Sequence, residues 1–100
     1  MKIVVEEKAL HEIKEASAWY LEKSVVAAEN FQKEITLTID SLHSGLIEHR
    51  KIFSDISLIQ LKIFPYNIYF TRNEVESIIR IVAVLHNKRD SRFIAYRLLR

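Results

Sequence analysis

The chain has 100 residues, a net charge of +2 and no cysteine. These values fit one domain with a single core, residues 1–100, and exclude disulfides and thiolate metal sites. No apolar run reaches the ~18 residues of a membrane span, and the opening MKIVVEEK is too short in apolar residues for a signal peptide. We therefore expect a soluble, cytoplasmic protein with no membrane partner.

Charge is distributed unevenly along the chain. Residues 1–55 carry seven Lys/Arg and ten Asp/Glu, a net −3, whereas residues 56–100 carry eight and three, a net +5. The last fifteen residues hold Asp90 as their single acid against five bases: Lys88, Arg89, Arg92, Arg97 and Arg100. Such a basic end indicates either an acidic partner, such as nucleic acid or an acidic protein segment, or a solvated helix whose last arginines favour its dipole.

The first half predicts a short strand followed by a helical hairpin. Lys2–Val5 is a candidate strand, and a helical pattern begins at Glu7. Its apolar stripe consists of Ala9, Leu10, Ile13, Ala16, Tyr20 and Leu21. Trp19 cannot share a face with Tyr20, so we expect it to cover the edge of the core.

Ser24 is a good N-cap for a second helix that starts near Val25. Its stripe consists of Ala28, Phe31, Ile35, Ile39 and Leu42. We expect this helix to end near Ser44, with Gly45 as a left-handed terminator. Both stripes need a surface to cover, and a sheet face is the expected one.

The segment Leu46–Asp55 is predicted to be a loop that returns to the sheet, with Phe53 as an anchor. His43 and His49 flank Gly45 and raise the question of a metal site. Neither has a carboxylate or a second histidine at a ligand interval on its own element. We therefore expect no metal and no cofactor.

Residues 57–90 predict an antiparallel meander. Leu58–Ile63 is its first strand, Pro65 marks the entrance to Tyr66–Thr71, and Asn73 supplies the next turn because asparagine tolerates positive φ. The run Ile78–His86 is nearly all apolar and rich in β-branched residues, as is typical of a central strand. A short helix, Ser91–Arg100, follows.

Strict alternation divides the central strand into two faces. One face is wholly apolar and is expected to take the helical hairpin: Ile79, Ile81, Ala83 and Leu85. The other is mixed and is expected to meet solvent or a partner chain: Ile78, Arg80, Val82, Val84 and His86. The predicted fold is α+β, an antiparallel sheet with a helical hairpin on one face, in the order β-α-α-β-β-β-α.

The polar run from His86 to Asp90 is the one candidate site for chemistry. A histidine beside Lys88 and Arg89 has the groups for acid–base work on RNA, with a cation stabilising the developing charge. The alternative is structural: His86 caps the strand, and Arg89 pairs with an acid on a helix.

Four motifs in this order resemble the RelE/ParE toxin superfamily, closest to its ParE-like, plasmid-stabilisation branch. They are ALxEIKEAxxWY from Ala9, AxxFxxEI from Ala28, FPYxIYF from Phe64 and IVAVLHxxRD from Ile81. The resemblance covers nearly the whole chain and implies the toxin half of a bacterial type II toxin–antitoxin pair. Its expected partner is a cognate antitoxin that wraps and inactivates it.

The resemblance also implies one of two targets. RelE-like members cut messenger RNA on the ribosome, and ParE-like members poison DNA gyrase. The nucleases carry cations at the places that hold Leu58, Gln60 and Asn67 here. Arg89 matches their later arginine, and the aromatic beyond it falls near Ala95, one residue before Tyr96.

We therefore expect a non-enzymatic gyrase inhibitor that contacts its target through Lys88, Arg89, Arg92, Arg97 and Arg100. The alternative is a ribosome-dependent endoribonuclease that uses His86, Arg89 and Tyr96. A third hypothesis is a degenerate toxin that keeps only its antitoxin-binding surface. Without its partner, the chain is expected to expose an apolar patch and to form a homodimer or aggregate.

Overall fold

The computed structural model describes residues 1–45 and 49–99. Its elements are β1 (Lys2–Val5), α1 (Glu7–Lys23), α2 (Val25–Ser41), β2 (Arg50–Phe53), β3 (Ile56–Gln60), β4 (Tyr66–Asn73), β5 (Ile78–His86) and α3 (Ser91–Leu98). The strands form one sheet in the order β1-β5-β4-β3-β2. The predicted α+β class, with a helical hairpin on one face of the sheet, is confirmed. Within the described residues, none of the helices is both long and apolar enough to cross a bilayer.

The sheet is mixed, which the prediction of an antiparallel sheet did not anticipate. Strands β2 to β5 form an antiparallel meander, and β1 pairs with β5 in parallel. The chain leaves β1 through two helices, and the meander then brings β5 back in the direction of β1. The first strand therefore lies beside the last one.

Strand β2 corrects the prediction of a loop over Leu46–Asp55. Residues 50–53 pair with β3, and Ser54, with φ of 51°, makes the turn between them. A strand of four residues with only two apolar side chains gives too little alternation to be recognised. The start of the predicted loop, residues 46–48, lies outside the described residues.

The helical hairpin forms largely as the sequence predicts. The Ser24 hydroxyl accepts a hydrogen bond from the Ala27 amide at 3.2 Å and caps α2. All five residues of the α2 stripe are buried. The helix ends at Ser41, before the predicted end near Ser44, and Gly45 adopts the expected left-handed conformation with φ of 69°.

Part of the predicted α1 stripe is wrong. Leu10 and Leu21 are 43% and 55% exposed, whereas Ala9, Ile13 and Ala16 of the same stripe are buried. Trp19 is 54% exposed, with the Lys23 ammonium 5.0 Å from its ring centre. Tyr20 lies at the core edge and contacts the Phe31 and Phe64 rings.

A β-bulge in β5 overturns the predicted division of its faces. Tyr69 pairs with Ala83 and the next residue, Phe70, pairs with Ile81, so Val82 has no partner in β4. A bulge inserts one residue and reverses the faces beyond it. Ile79, Ile81 and Val84 pack under the helical hairpin: Ala83 and Leu85 lie on the opposite face, with α3.

Side-chain hydrogen bonds to backbone amides stabilise two turns whose positions differ from the predicted ones. Asn73 keeps strand geometry and its Oδ1 accepts from the Glu76 amide at 2.9 Å, while Ser77 takes the positive φ of 58°. Strand β3 ends at Gln60 instead of Ile63. The Glu34 carboxylate on α2 accepts the amides of residues 62–64, at 2.8 Å for Lys62 and 3.1 Å for Phe64.

Candidate functional site

A tight turn between β5 and α3 carries Lys88 and Arg89, the first basic residues after the central strand. Its backbone is fixed by hydrogen bonds from Asn87 N to Pro65 O at 2.8 Å and from Arg89 N to His86 O at 3.1 Å. Every residue from 87 to 92 is exposed. We call Lys88, Arg89 and Arg92 on this turn the basic tip.

Arg92 shares its charge with an acid. Asp90 caps α3 by accepting the Arg92 amide at 2.7 Å, and the Arg92 guanidinium lies 3.3 Å from its Oδ2. Hydrogen bonds from the Arg92 side chain and backbone hold the pKa of the Asp90 carboxyl below its usual value. Asp90 is therefore ionised at neutral pH and cancels part of the charge of Arg92.

Arg89 packs against an aromatic ring. Its guanidinium carbon lies 4.3 Å from the centre of the Phe93 ring, a cation–π geometry that holds the charge in place. The structural alternative is thus wrong for Arg89, which pairs with no acid on a helix in the described residues. It is confirmed for His86, whose Nδ1 accepts a hydrogen bond from the Lys88 backbone amide at 3.1 Å. Among the described residues, neither Lys88 nor Arg89 has an acidic group within ion-pair distance.

Arg97 has a structural role instead of the predicted exposed one. Its Nε lies 2.7 Å from Glu12 Oε2 and its Nη2 lies 3.1 Å from Glu12 Oε1. Both side chains are largely buried, at 17% and 16% exposure. This ion pair joins α3 to α1 and removes Arg97 from the residues available to a target.

The Glu12–Arg97 pair also completes the edge of β5. Strand β1 ends at Val5, so in the described sheet the β5 backbone beyond Ile81 has no strand on that side. Glu12 Oε1 accepts the Val84 amide at 3.0 Å, and Arg97 Nη2 donates to the Val82 carbonyl at 2.9 Å. Two side chains thus satisfy backbone groups that the bulge and the end of β1 leave open.

The structure brings together only part of the predicted nuclease set. His86 lies at the end of β5, and the tyrosine whose ring contacts it is Tyr66, at 5.3 Å between ring centres. Burial raises the pKa of the Tyr66 hydroxyl, and the charge of Arg89 opposes that shift. Tyr96 lies on α3 with an exposed side chain, and Arg100 lies outside the described residues.

The three positions at which the resemblance implies catalytic cations lie on the α3 side of the sheet. Leu58 is buried there, and Gln60 pairs with Asn67 across β3 and β4. The Asn67 side-chain oxygen is buried without a protein partner. No three histidine, aspartate or glutamate side chains within the described ranges are placed to hold a metal.

The comparison with known families identifies the fold. The family described as ParE toxin of type II toxin–antitoxin system, parDE, matches residues 3–91. The chain belongs to the ParE toxin family. The match includes Lys88 and Arg89 of the basic tip but ends before Arg92. Membership implies a cognate antitoxin as partner.

Two solved structures share the fold of this chain. A chain of the chromosomal ParDE toxin–antitoxin system from P. aeruginosa superposes with a TM-score of 0.68 at 15% identity, over 86% of this chain and 95% of that one. The isolated E. coli RelE toxin gives a TM-score of 0.57 at 17% identity, over 99% and 98%. At these identities the likeness concerns the fold. The search of curated protein sequences gave no match.

Proposed function

We propose that this ParE-family chain inhibits DNA gyrase by binding it, in the bacterial cytoplasm, and that a cognate antitoxin neutralises it. Its biological role would be that of a plasmid-stabilisation toxin. The chain carries out no covalent chemistry in this proposal. It acts by binding a gyrase state more tightly than the other states of the enzyme, which raises the population of that state.

The observation that carries the proposal is the composition of the sheet face below α3. Cleavage of RNA without a metal needs cations and a general acid or base around the scissile phosphate. Leu58 is apolar and buried, and Gln60 and Asn67 are neutral amides. These three positions therefore carry none of the cations on which the nuclease alternative depends.

The basic tip supports a binding mode of action. Lys88 and Arg89 are exposed cations without acidic partners among the described residues, and the turn that bears them is fixed by backbone hydrogen bonds. Charged residues placed in this way accelerate and orient association with an acidic surface. We therefore assign target contact to Lys88, Arg89 and Arg92.

Antitoxin binding has a separate surface available to it. A groove runs between α2 and the end of β3, and Leu37 and Ile63 on its rim are 62% and 80% exposed. Strand β2 is the edge of the sheet near this groove and can accept an extended segment. Without a partner, these groups favour a homodimer or aggregates.

The test is to express the chain without an antitoxin and to follow DNA and RNA separately. A gyrase poison halts replication, elongates cells and traps cleaved DNA on the enzyme, while translation continues at first. Charge reversal of both Arg89 and Arg92 should reduce toxicity while lowering stability by no more than about 2 kcal/mol, since only an exposed ion pair and a cation–π contact are lost. Codon-phased cuts in ribosome-bound messenger RNA soon after induction would refute the proposal.

A further inference from the structure

The corner that carries the basic tip also holds two further side chains that can donate hydrogen bonds. Tyr66, the first residue of β4, pairs with His86, the last of β5, and their rings are in contact. The Lys88 amide donates to His86 Nδ1 at 3.1 Å. A neutral imidazole with that acceptor carries its proton on Nε2 and can donate from it. The Tyr66 hydroxyl has an ordinary pKa of 10.0, which burial raises further, so it is also a donor at neutral pH.

Of the two cations of this corner that have no acidic partner among the described residues, Arg89 has its guanidinium held in position and Lys88 has its backbone fixed. The Phe93 ring supports the Arg89 guanidinium, and the turn around Lys88 is tied to Pro65 and His86. Ordering a side chain on binding costs about 0.5–1.5 kcal/mol, a cost that this arrangement lowers. Asp90 already occupies the N-terminus of α3, so an anion is directed toward Lys88 and Arg89.

We infer that this corner binds a phosphodiester group of DNA. The inference rests on the proposed function and specifies that the basic tip contacts the DNA held by gyrase. The four groups that would surround the phosphate are the Tyr66 hydroxyl, His86 Nε2, Lys88 Nζ and the Arg89 guanidinium.

Composition favours DNA over an acidic protein segment as the ligand. All six residues from 87 to 92 are exposed and none is apolar. The centres of protein–protein interfaces are depleted of charged residues and depend on apolar or aromatic anchors. Interfaces with DNA are polar and strongly positive.

The experiment measures binding of the purified full-length chain to a short labelled DNA duplex by fluorescence anisotropy over a range of KCl concentrations. Arg89→Gln should weaken binding and reduce the slope of log affinity against log salt by about 1, because one phosphate contact is lost. Lys88→Gln should do the same. Tyr66→Phe removes only a hydroxyl and should weaken binding about threefold to tenfold without changing the slope.

Arg80→Gln is the matched control. Arg80 is exposed on β5, away from the basic tip, and no acid among the described residues pairs with it. Arg80→Gln removes the same charge as Arg89→Gln but no phosphate contact, so its slope of log affinity against log salt should stay at the wild-type value. Circular dichroism melts of all variants will test whether the fold is intact.

Equal effects of Arg80→Gln and Arg89→Gln would overturn the inference, since binding would then reflect overall charge. So would an absence of DNA binding by the wild type combined with loss of gyrase-protein binding in Arg89→Gln, because that result assigns the basic tip to an acidic protein surface. A gyrase cleavage assay separates the two proposals. DNA binding that depends on Lys88 and Arg89, without any trapping of cleaved DNA, would refute the gyrase function alone. Trapping of cleaved DNA without DNA binding by the isolated chain would refute the phosphate site alone.

Discussion

Removal of the Arg97 guanidinium tests whether the ion pair with Glu12 holds α3 on the sheet. In Arg97→Met the hydrogen bonds to both Glu12 oxygens and to the Val82 carbonyl are lost, and Glu12 keeps only the Val84 amide. Breaking a buried ion pair on one side costs about 3–5 kcal/mol. Because both side chains retain a little solvent exposure, we expect a loss near the lower end, about 3 kcal/mol.

The assay is urea denaturation followed by circular dichroism, which gives the change in the free energy of unfolding. Arg92→Met is the control, since the Arg92–Asp90 pair is exposed, with the Arg92 side chain at 91%. Such a pair is worth about 0–1 kcal/mol. A double-mutant cycle of Arg97→Met with Glu12→Gln should show coupling above about 1 kcal/mol. Equal losses in Arg97→Met and Arg92→Met, with no coupling to Glu12, would refute this role.

Three further predictions concern the core, a turn and a helix cap. Ile81→Ala should cost about 2–5 kcal/mol in urea denaturation because Ile81 is fully buried under the hairpin; a loss below about 0.5 kcal/mol would contradict that placement. Glu34→Gln should lower stability by about 1–2 kcal/mol, since the carboxylate accepts three backbone amides, whereas Glu29→Gln on the exposed side of α2 should be neutral. The lowered pKa of Asp90 means that its stabilising effect is complete above the usual carboxyl pKa of 3.8 and is lost as pH falls through the lower folded value. The amide NMR signals of α3 should report that loss, and Asp90→Asn should abolish this pH dependence.

The helical hairpin could be predicted because its signal is local. The α2 stripe from Ala28 to Leu42 repeats with helical spacing, and Ser24 is a strong N-cap signal, so periodicity and capping fix the helix within the sequence itself. The faces of β5 could not be assigned in the same way. Nearly every residue around Val82 is apolar, so alternate residues of β5 could face either side of the sheet. The sequence pattern therefore does not reveal the bulge.

The candidate site was predicted in part, for a related reason. Lys88 and Arg89 are adjacent in sequence and lie on one exposed turn. Their charge could therefore be recognised from the sequence. Arg97 carries the same charge but lies 85 positions from its partner Glu12. Each of the two looks like an ordinary solvent-facing residue on its own helix, so only the tertiary structure pairs them.

The Glu12–Arg97 pair has a consequence for the order of events during synthesis. Glu12 leaves the ribosome 85 residues before Arg97, and β1 cannot pair until β5, its only strand partner in the described sheet, has been synthesised. Contacts between distant parts of a chain form late, since a long loop must close first. By residue 64, both helices of the hairpin and the residues that line the groove beside β3 have been synthesised, but β4 and β5 have not. A nascent chain therefore exposes the apolar stripe of the hairpin until β5, against which α1 packs, has been synthesised.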